Sequence, residues 1–141
     1  MYQATSVIEL RQYVQHWKDH GHSIAFIPTM GNLHAGHLRL VQHARTLADR
    51  VVVSIFVNPT QFGPNEDYAT YPRTLEADAR ALVDAAADLL FAPAVEEVYT
   101  GDLKTATRVE VPGLGEILCG EFRPGFFSGI ATVVTRLFNM V

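Results

Sequence analysis

Short apolar runs alternate with stretches of helical periodicity along this chain. The runs lie at residues 24–27, 51–56 and 89–92, and short runs of this kind are typical of strands that are covered on both faces. Helical spacing begins at the capping box Ser6-Val7-Ile8-Glu9, continues to about His20 and recurs between the runs. The alternation predicts an α/β fold with a parallel sheet and helices on both faces, in which the crossover from the first run to the second is right-handed.

The same periodicity sets expectations for individual elements. Further helices are predicted at about 35–49, 74–87, 114–118 and 128–141. We expect Leu47 on the buried face of the first of these helices, and Leu75 and Val83 on that of the second. Residues 108–111 alternate like an edge strand. Pro28 is expected to end the strand that precedes it, because proline cannot donate to a ladder.

Composition narrows the class of protein. A chain of 141 residues with 48% hydrophobic and 18% charged residues is long enough for one domain with a real core, and it is not disordered. The net charge of −4 excludes a general attraction to nucleic acid or to anionic membranes. A single cysteine, Cys119, excludes an intrachain disulfide, and the N-terminus lacks a signal-peptide pattern. We therefore expect a cytoplasmic protein without nucleic-acid or membrane partners.

The candidate chemistry lies where the first apolar run meets the next helix. Gly31 and Gly36 permit close approach of the backbone, and a helix N-terminus presents free N–H groups that favour an anion. His34 and His37, three residues apart, would point at that anion and donate hydrogen bonds or transfer a proton. A zinc site is the competing interpretation of His-x-x-His, but no Cys or carboxylate cluster accompanies the pair.

A second polar segment follows the second apolar run. Asn58 and Gln61 lie in a loop shaped by Pro59, Gly63 and Pro64. Because the carboxyl ends of parallel strands share one edge, this amide pair should lie beside the anion site and could orient a small hydroxy acid. Such residues are also common in turns that have no ligand.

Four motifs resemble those of one enzyme family, the pantothenate synthetases, which are AMP-forming pantoate:β-alanine ligases. They are Pro28-Thr29-Met30-Gly31-Asn32-Leu33-His34-Ala35-Gly36-His37, Phe56-Val57-Asn58-Pro59-Thr60-Gln61-Phe62, Tyr71-Pro72-Arg73-Thr74 and Arg123-Pro124-Gly125. His-x-Gly-His alone is shared across the nucleotidylyltransferase and class I aminoacyl-tRNA synthetase superfamily. The matches extend along essentially the whole chain, and the resemblance implies the Rossmann-like fold of that superfamily.

The resemblance also implies a reaction and its residues. Pantoate would attack the α-phosphorus of ATP to give pantoyl adenylate, and β-alanine would then displace AMP, with Mg²⁺ held mainly by the nucleotide and a homodimer as the assembly. The implied catalytic residues are His34 and His37. The implied ATP-binding residues are Met30, Gly31, Asn32, Leu33, His34, Ala35, Gly36 and His37. Thr29, Met30 and Gln61 are implied for pantoate, Asn58, Gln61 and Arg123 for β-alanine, and none for a metal.

Two departures from the family pattern affect these expectations. Phe126 stands where the family usually has a histidine, which puts the handling of β-alanine in doubt. The chain also stops before the Gly-x-Lys-Asp-x-Gln segment, the basic Ser-containing loop and the small C-terminal domain of the family. We therefore expect residues 1–141 to be the N-terminal nucleotide- and pantoate-binding domain, with the C-terminal domain absent.

Three questions stay open on the sequence alone. The chain is either an active ligase, a nucleotide- or pantoate-binding fragment without turnover, or a nucleotidylyltransferase with another acceptor. His37 is either a proton donor or a neutral hydrogen-bond donor. From its residue type, Arg123 is either an anion ligand or a surface residue.

Overall fold

Four parallel strands form the sheet in the part of the chain that the structure describes. The computed structural model describes residues 1–63, 68–103, 105–113, 123 and 125–141. The strands are β1 (Tyr2–Ala4), β2 (Ile24–Thr29), β3 (Arg50–Ile55) and β4 (Leu89–Phe91). They are ordered β1-β4-β3-β2, so that β2 and β3 lie side by side with Thr29 opposite Ile55.

Helices connect and cover the strands. They are α1 (Val7–Asp19), α2 (Ala35–Ala44), α3 (Leu75–Asp84), α4 (Val95–Val98) and α5 (Phe126–Phe138), with a 3₁₀ turn at Pro59–Gln61. The predicted capping box of α1 is present: Ser6 accepts the N–H of Glu9, and the Glu9 carboxylate accepts the N–H of Ser6.

The core lies on both faces of the sheet. On one face, Val52 packs in a cluster with buried side chains of α1 and α5, such as Leu10 and Leu137. On the other face, Val51 and Val53 pack with α2 and α3. Alternate residues of β3 thus serve opposite layers, which confirms the predicted α/β fold with a parallel sheet and helices on both faces. No helix within the described ranges combines the length and apolar character needed to cross a bilayer.

Pro28 does not end β2, contrary to expectation. The strand continues to Thr29, whose carbonyl accepts the N–H of Phe56 at 3.0 Å. Because neighbouring residues of a strand direct their backbone groups to opposite sides, Pro28 faces away from β3. The donor that proline lacks therefore falls on the outer edge of the described sheet, where proline is tolerated.

Two helices, α2 and α3, are shorter than predicted, and their buried faces differ from the predicted ones. Helix α2 ends at Ala44, where the Thr46 hydroxyl bonds the His43 carbonyl at 2.7 Å. Leu47 consequently lies outside the helix and is 69% exposed. In α3, Leu75 and Val83 are also exposed, and a carboxylate, Asp78, is buried in the expected apolar stripe.

Residues 108–111 do not form the predicted edge strand. The Val109 N–H donates to the Thr132 hydroxyl at 2.9 Å, and the Val109 carbonyl accepts from Ser128. Side chains of α5 thus take the backbone groups that a neighbouring strand would have bonded. Strand β1 was missed, because Tyr2-Gln3-Ala4 is too short to show a period and, unlike β4, is not a continuous apolar run. The predicted helix at 114–118 and Cys119 lie outside the described residues.

Candidate functional site

Two loops meet at the carboxyl ends of β2 and β3. We call residues 30–34 the first loop and residues 56–63 the second loop. Thr29 joins their bases: its hydroxyl donates to the Ser54 carbonyl at 2.7 Å and accepts the Gly31 N–H at 3.2 Å. The expectation that the two polar motifs share one edge of the sheet is therefore confirmed.

A buried carboxylate shapes the first loop. Asp78, 4% exposed, accepts the backbone N–H groups of Asn32 at 2.9 Å and Leu33 at 2.8 Å, as well as the Thr74 hydroxyl at 3.0 Å. Gly31 and Asn32 have φ angles of 81° and 51°, which turn these amides toward one acceptor. A Cβ at Gly31 would also lie 3.0 Å from Ile55 and 3.1 Å from Asp78, so that only glycine fits without a shift.

Two imidazoles lie at the N-terminus of helix α2, on the capping residue His34 and on His37 in the first turn. His34 Nδ1 accepts the Gly36 N–H at 3.1 Å, and His37 Nδ1 accepts the His34 N–H at 3.4 Å. A ring nitrogen that accepts a hydrogen bond carries no proton, so the neutral form of each ring has its hydrogen on Nε2. Each ring is thereby left with an Nε2–H donor.

The electrostatic surroundings favour the neutral form of His37. Partial burial lowers the pKa of His37 below its ordinary value of 6.5, the neighbouring His34 lowers it further, and the Asp78 carboxylate opposes them. The two imidazole centroids are only 4.1 Å apart, and at that separation a positive charge on both rings would be repulsive.

Five backbone donors in the first loop and the following helical turn are already bonded within the protein. The N–H groups of Gly31, Asn32, Leu33, His34 and Gly36 all have acceptors in the chain. The sequence predicts that these amides receive an anion. In the structure these five amides bond acceptors within the chain, and the imidazole Nε2–H groups are further donors at this helix terminus that have no acceptor among the described residues. Sequence reasoning missed Asp78, because a single Asp on an amphipathic helix is usually solvated.

A fully buried amide organises the second loop. Asn58 is 0% exposed. Its Oδ1 accepts the Thr60 N–H at 3.3 Å, the Thr60 hydroxyl at 3.0 Å and the Tyr99 hydroxyl at 2.9 Å. Its Nδ2 donates to Gln61 Oε1 at 3.0 Å and to the Gly129 carbonyl at 3.3 Å. The hydrogen-bonding groups of this amide are thus all engaged within the protein, and one of these bonds holds the side chain of Gln61.

The hydrogen bonds of Asn58 fix which end of Gln61 faces outward. The backbone N–H of Thr60 and the backbone carbonyl of Gly129 determine the orientation of the Asn58 amide without ambiguity. Since Asn58 donates to Gln61 Oε1, the Nε2 of Gln61 is its other end. In the described part of the chain, no hydrogen bond engages this Nε2, nor is it among the buried unpaired atoms. Gln61 thus offers N–H donors.

The structure brings Arg123 to the second loop as well. Its Nη2 donates to the Gln61 carbonyl at 3.0 Å, and its guanidinium lies 3.8 Å from the centre of the Phe126 ring. Phe126 therefore supplies a cation–π contact to this guanidinium. The three residues predicted for β-alanine, Asn58, Gln61 and Arg123, lie together.

The other predicted residues lie along the same edge. Thr29 ends β2, while Ala35 starts α2. Met30 and Gly31 line a cavity of about 310 Å³ with Asp78, and neither His34 nor His37 lines it. No three His, Cys, Asp or Glu side chains within the described ranges cluster as metal ligands.

The family comparison matches nearly the whole chain. Residues 3–141 match the family model described as pantoate-beta-alanine ligase. The chain is 59% identical over 141 residues to the pantothenate synthetase of Alcanivorax borkumensis, covering 100% of this chain and 49% of the relative. It is 61% identical over 133 residues to that of Methylococcus capsulatus, covering 94% and 46%. The chain therefore spans about half the length of the curated relatives it matches.

Solved structures have the same fold over the same region. The crystal structure of pantothenate synthetase from Thermus thermophilus superposes with a TM-score of 0.91 at 51% identity, covering 100% of this chain and 49% of the other. Pantoate-beta-alanine ligase from Francisella tularensis, complexed with beta-gamma ATP and beta-alanine, gives 0.86 at 40% identity, covering 99% and 53%.

Proposed function

The chain belongs to the pantoate-beta-alanine ligase family, and we propose that it is the part of such a ligase that binds ATP and pantoate for the formation of pantothenate. In the proposed first step, a pantoate carboxylate oxygen bonds to the α-phosphorus of ATP and pyrophosphate leaves. In the second step, the amine of β-alanine bonds to the acyl carbon of pantoyl adenylate, loses a proton and displaces AMP. The pathway served is pantothenate synthesis, which supplies coenzyme A.

The observation that carries the proposal is the pair of imidazoles at the start of α2. Both Nδ1 atoms accept backbone N–H groups, so that both rings keep an Nε2–H donor. Negative charge develops on the phosphoryl oxygens as the carboxylate attacks, and preorganised donors stabilise such charge. We assign His34 and His37 this role as neutral donors, in preference to proton transfer from His37.

The second loop would hold the organic substrates. In the proposal, Gln61 Nε2 donates to a pantoate oxygen, and Thr29 and Met30, on the same edge of the sheet, lie beside this substrate. The Arg123 guanidinium is tied to this loop through the Gln61 carbonyl, and guanidinium groups pair well with carboxylates. We therefore keep Arg123 as the candidate for the carboxylate of β-alanine.

In this proposal, Mg²⁺ is bound by the triphosphate of the nucleotide and not by a carboxylate of the chain. Asp78 is the carboxylate beside the first loop, and its two oxygens already accept two backbone N–H groups and one hydroxyl. A metal ion there would have to displace the donors that shape the loop. Mg²⁺ would accordingly arrive on the triphosphate.

Two measurements on the 141-residue chain test the proposal. Calorimetry should detect binding of ATP with Mg²⁺ and binding of pantoate. Release of pyrophosphate with ATP and pantoate, and of AMP only after β-alanine is added, would identify the two steps. Absence of nucleotide binding, or of pantoate binding, would refute the proposal.

A binding fragment without turnover is the second candidate. It is favoured by one observation, that the chain spans about half the length of its relatives. Binding of ATP and pantoate without release of pyrophosphate would select it. Adenylyl transfer to a different acceptor, with no response to pantoate, would select another nucleotidylyltransferase.

The homodimer and the cytoplasmic location stay predictions. For the homodimer, the exposed apolar side chains Leu40, Leu47 and Val83 on or next to α2 and α3 provide a candidate contact surface. Sedimentation equilibrium measures the association directly.

A further inference from the structure

We infer that Tyr99 is a positioning residue for the ligand-binding amide of Gln61 and that it acts through Asn58. The inference rests on the proposed function, in which Gln61 binds pantoate. Tyr99 lies 38 residues beyond Gln61 in the chain, just after α4, and nothing in the sequence connects the two.

The Tyr99 hydroxyl forms the shortest hydrogen bond to Asn58. The phenol is 3% exposed and donates to Asn58 Oδ1 at 2.9 Å, with the Thr60 hydroxyl 3.3 Å away. Two side chains pack near the ring: the Arg136 guanidinium lies 5.0 Å from its centre, and the centre of the Phe56 ring lies 6.2 Å away. Burial raises the pKa of Tyr99 above its ordinary value of 10.0, so the hydroxyl keeps its proton.

Asn58 passes this constraint to Gln61. Without the phenol, Oδ1 would keep only the two donors of Thr60, one of them at 3.3 Å. The Asn58 side chain is fully buried, which limits the access of water that could replace the lost donor. An Asn58 amide that rotates would move Nδ2 away from Gln61 Oε1, and Gln61 would lose the contact that directs its Nε2 outward.

The consequence concerns substrate recognition. A fixed Gln61 presents N–H donors, which match a carboxylate or hydroxyl oxygen of a small hydroxy acid and discriminate against a group that can only donate. The hydrogen bonds of Asn58 within the described residues all go to the second loop, Tyr99 and Gly129. Loss of the Tyr99 hydroxyl should therefore affect pantoate and spare ATP.

The test is Tyr99→Phe in the 141-residue chain, with Tyr13→Phe as the matched control. The control removes a hydroxyl from a partly buried ring of α1, which stacks on the ring of Tyr2. Calorimetry should give about three- to tenfold weaker pantoate binding for Tyr99→Phe, the equivalent of one lost hydrogen bond, with ATP affinity within twofold. The ¹H–¹⁵N resonances of the Gln61 side-chain amide should shift in Tyr99→Phe and stay in place in Tyr13→Phe.

A double-variant cycle separates positioning from general destabilisation. If Tyr99 acts through Gln61, the Tyr99→Phe change should weaken pantoate binding by less than twofold in a Gln61→Ala background. An equal effect in both backgrounds, or unmoved Gln61 amide resonances in Tyr99→Phe, would overturn the inference. Thr60→Val, which removes another hydroxyl donor to Asn58, gives a second variant with a smaller shift in the same direction should Tyr99→Phe fail to fold.

The amide resonances also keep this test independent of the proposed function. If the wild-type chain binds no pantoate, the proposed function fails, and the resonance shift still decides whether Tyr99 orients Gln61. If pantoate binds and the shift is absent, the positioning inference alone is refuted.

Discussion

The two loops at the carboxyl ends of β2 and β3 are held by opposite kinds of group. In the first loop, the acidic side chain of Asp78 collects backbone N–H groups from Asn32 and Leu33. In the second loop, the neutral amide of Asn58 collects donors on its oxygen and gives its own hydrogens to Gln61 and Gly129. Each anchor is at most 4% exposed.

The difference teaches which groups each loop can offer to a ligand. The Asp78 carboxylate occupies two amides of the first loop, whereas the imidazoles of His34 and His37, at the start of α2, keep Nε2–H donors. The Asn58 amide donates a hydrogen bond to the side-chain oxygen of Gln61, so the second loop offers the Gln61 N–H groups to a ligand. One loop is thus suited to phosphoryl oxygens beside a helix N-terminus, and the other to the oxygen atoms of a small acid.

The largest expected effect is the loss of reaction rate when an imidazole at the start of α2 is removed. His37→Ala should lower the rate of pyrophosphate release with ATP and pantoate by about a hundred- to a thousandfold, because one preorganised donor to the developing charge is lost. His43→Ala, an exposed histidine of the same helix, is the matched control and should change the rate by less than twofold. A His37→Ala rate within threefold of wild type would remove this residue from the phosphoryl site.

The second-largest effect is expected at Asp78, the carboxylate that holds the first loop. Asp78→Asn should lower the free energy of unfolding by about 1–3 kcal/mol, because the new NH₂ would replace one of the two oxygens, face the N–H of either Asn32 or Leu33, and leave that N–H unpaired. Urea unfolding measures the change, and Asp84→Asn, an exposed carboxylate on the same helix, is the control. Equal stability of both variants would show that the carboxylate does not hold the loop.

A smaller, selective effect is expected at Gln61. Gln61→Ala should weaken pantoate binding by about tenfold and leave ATP affinity within twofold, since the two loops offer separate donors. Gln42→Ala, an exposed amide on α2, controls for the substitution. A parallel loss of ATP affinity in calorimetry would show that the division between the loops is wrong.

The sequence predicted the edge of the sheet on which these loops lie, and the reason is physical. Continuous apolar runs and a capping box are local signals, so β2, β3, β4 and α1 could be placed from neighbours in the chain. The motifs at His34, His37, Asn58 and Gln61 followed those runs, and parallel pairing then brought them to one edge.

The anchors could not be predicted in the same way. Asp78 bonds residues 45 and 46 positions away, and Tyr99 bonds Asn58 from 41 positions away. A lone carboxylate and a lone tyrosine have no periodic signature, and their burial depends on tertiary packing. Val109 shows the same limit, because its alternation suggested a strand while α5 side chains took its backbone groups.

The smallest expected effect is on the titration midpoint of His37. It tests whether His34 lowers the pKa of this imidazole and Asp78 raises it, and thus which form of His37 stands beside the first loop. The imidazole should titrate below pH 6.5 by NMR, because partial burial and His34 lower its pKa while Asp78 raises it. His34→Gln should therefore raise the midpoint, and Asp78→Asn should lower it. Because the pKa of His37 is lower in the folded protein than in the unfolded chain, the unfolded chain binds more protons as the pH drops below 6.5. The contribution of His37 to the free energy of unfolding therefore falls as the pH drops below 6.5, and it levels off above this pH. A midpoint above 6.5 would favour the imidazolium, and with it proton donation by His37, over the neutral Nε2–H donor.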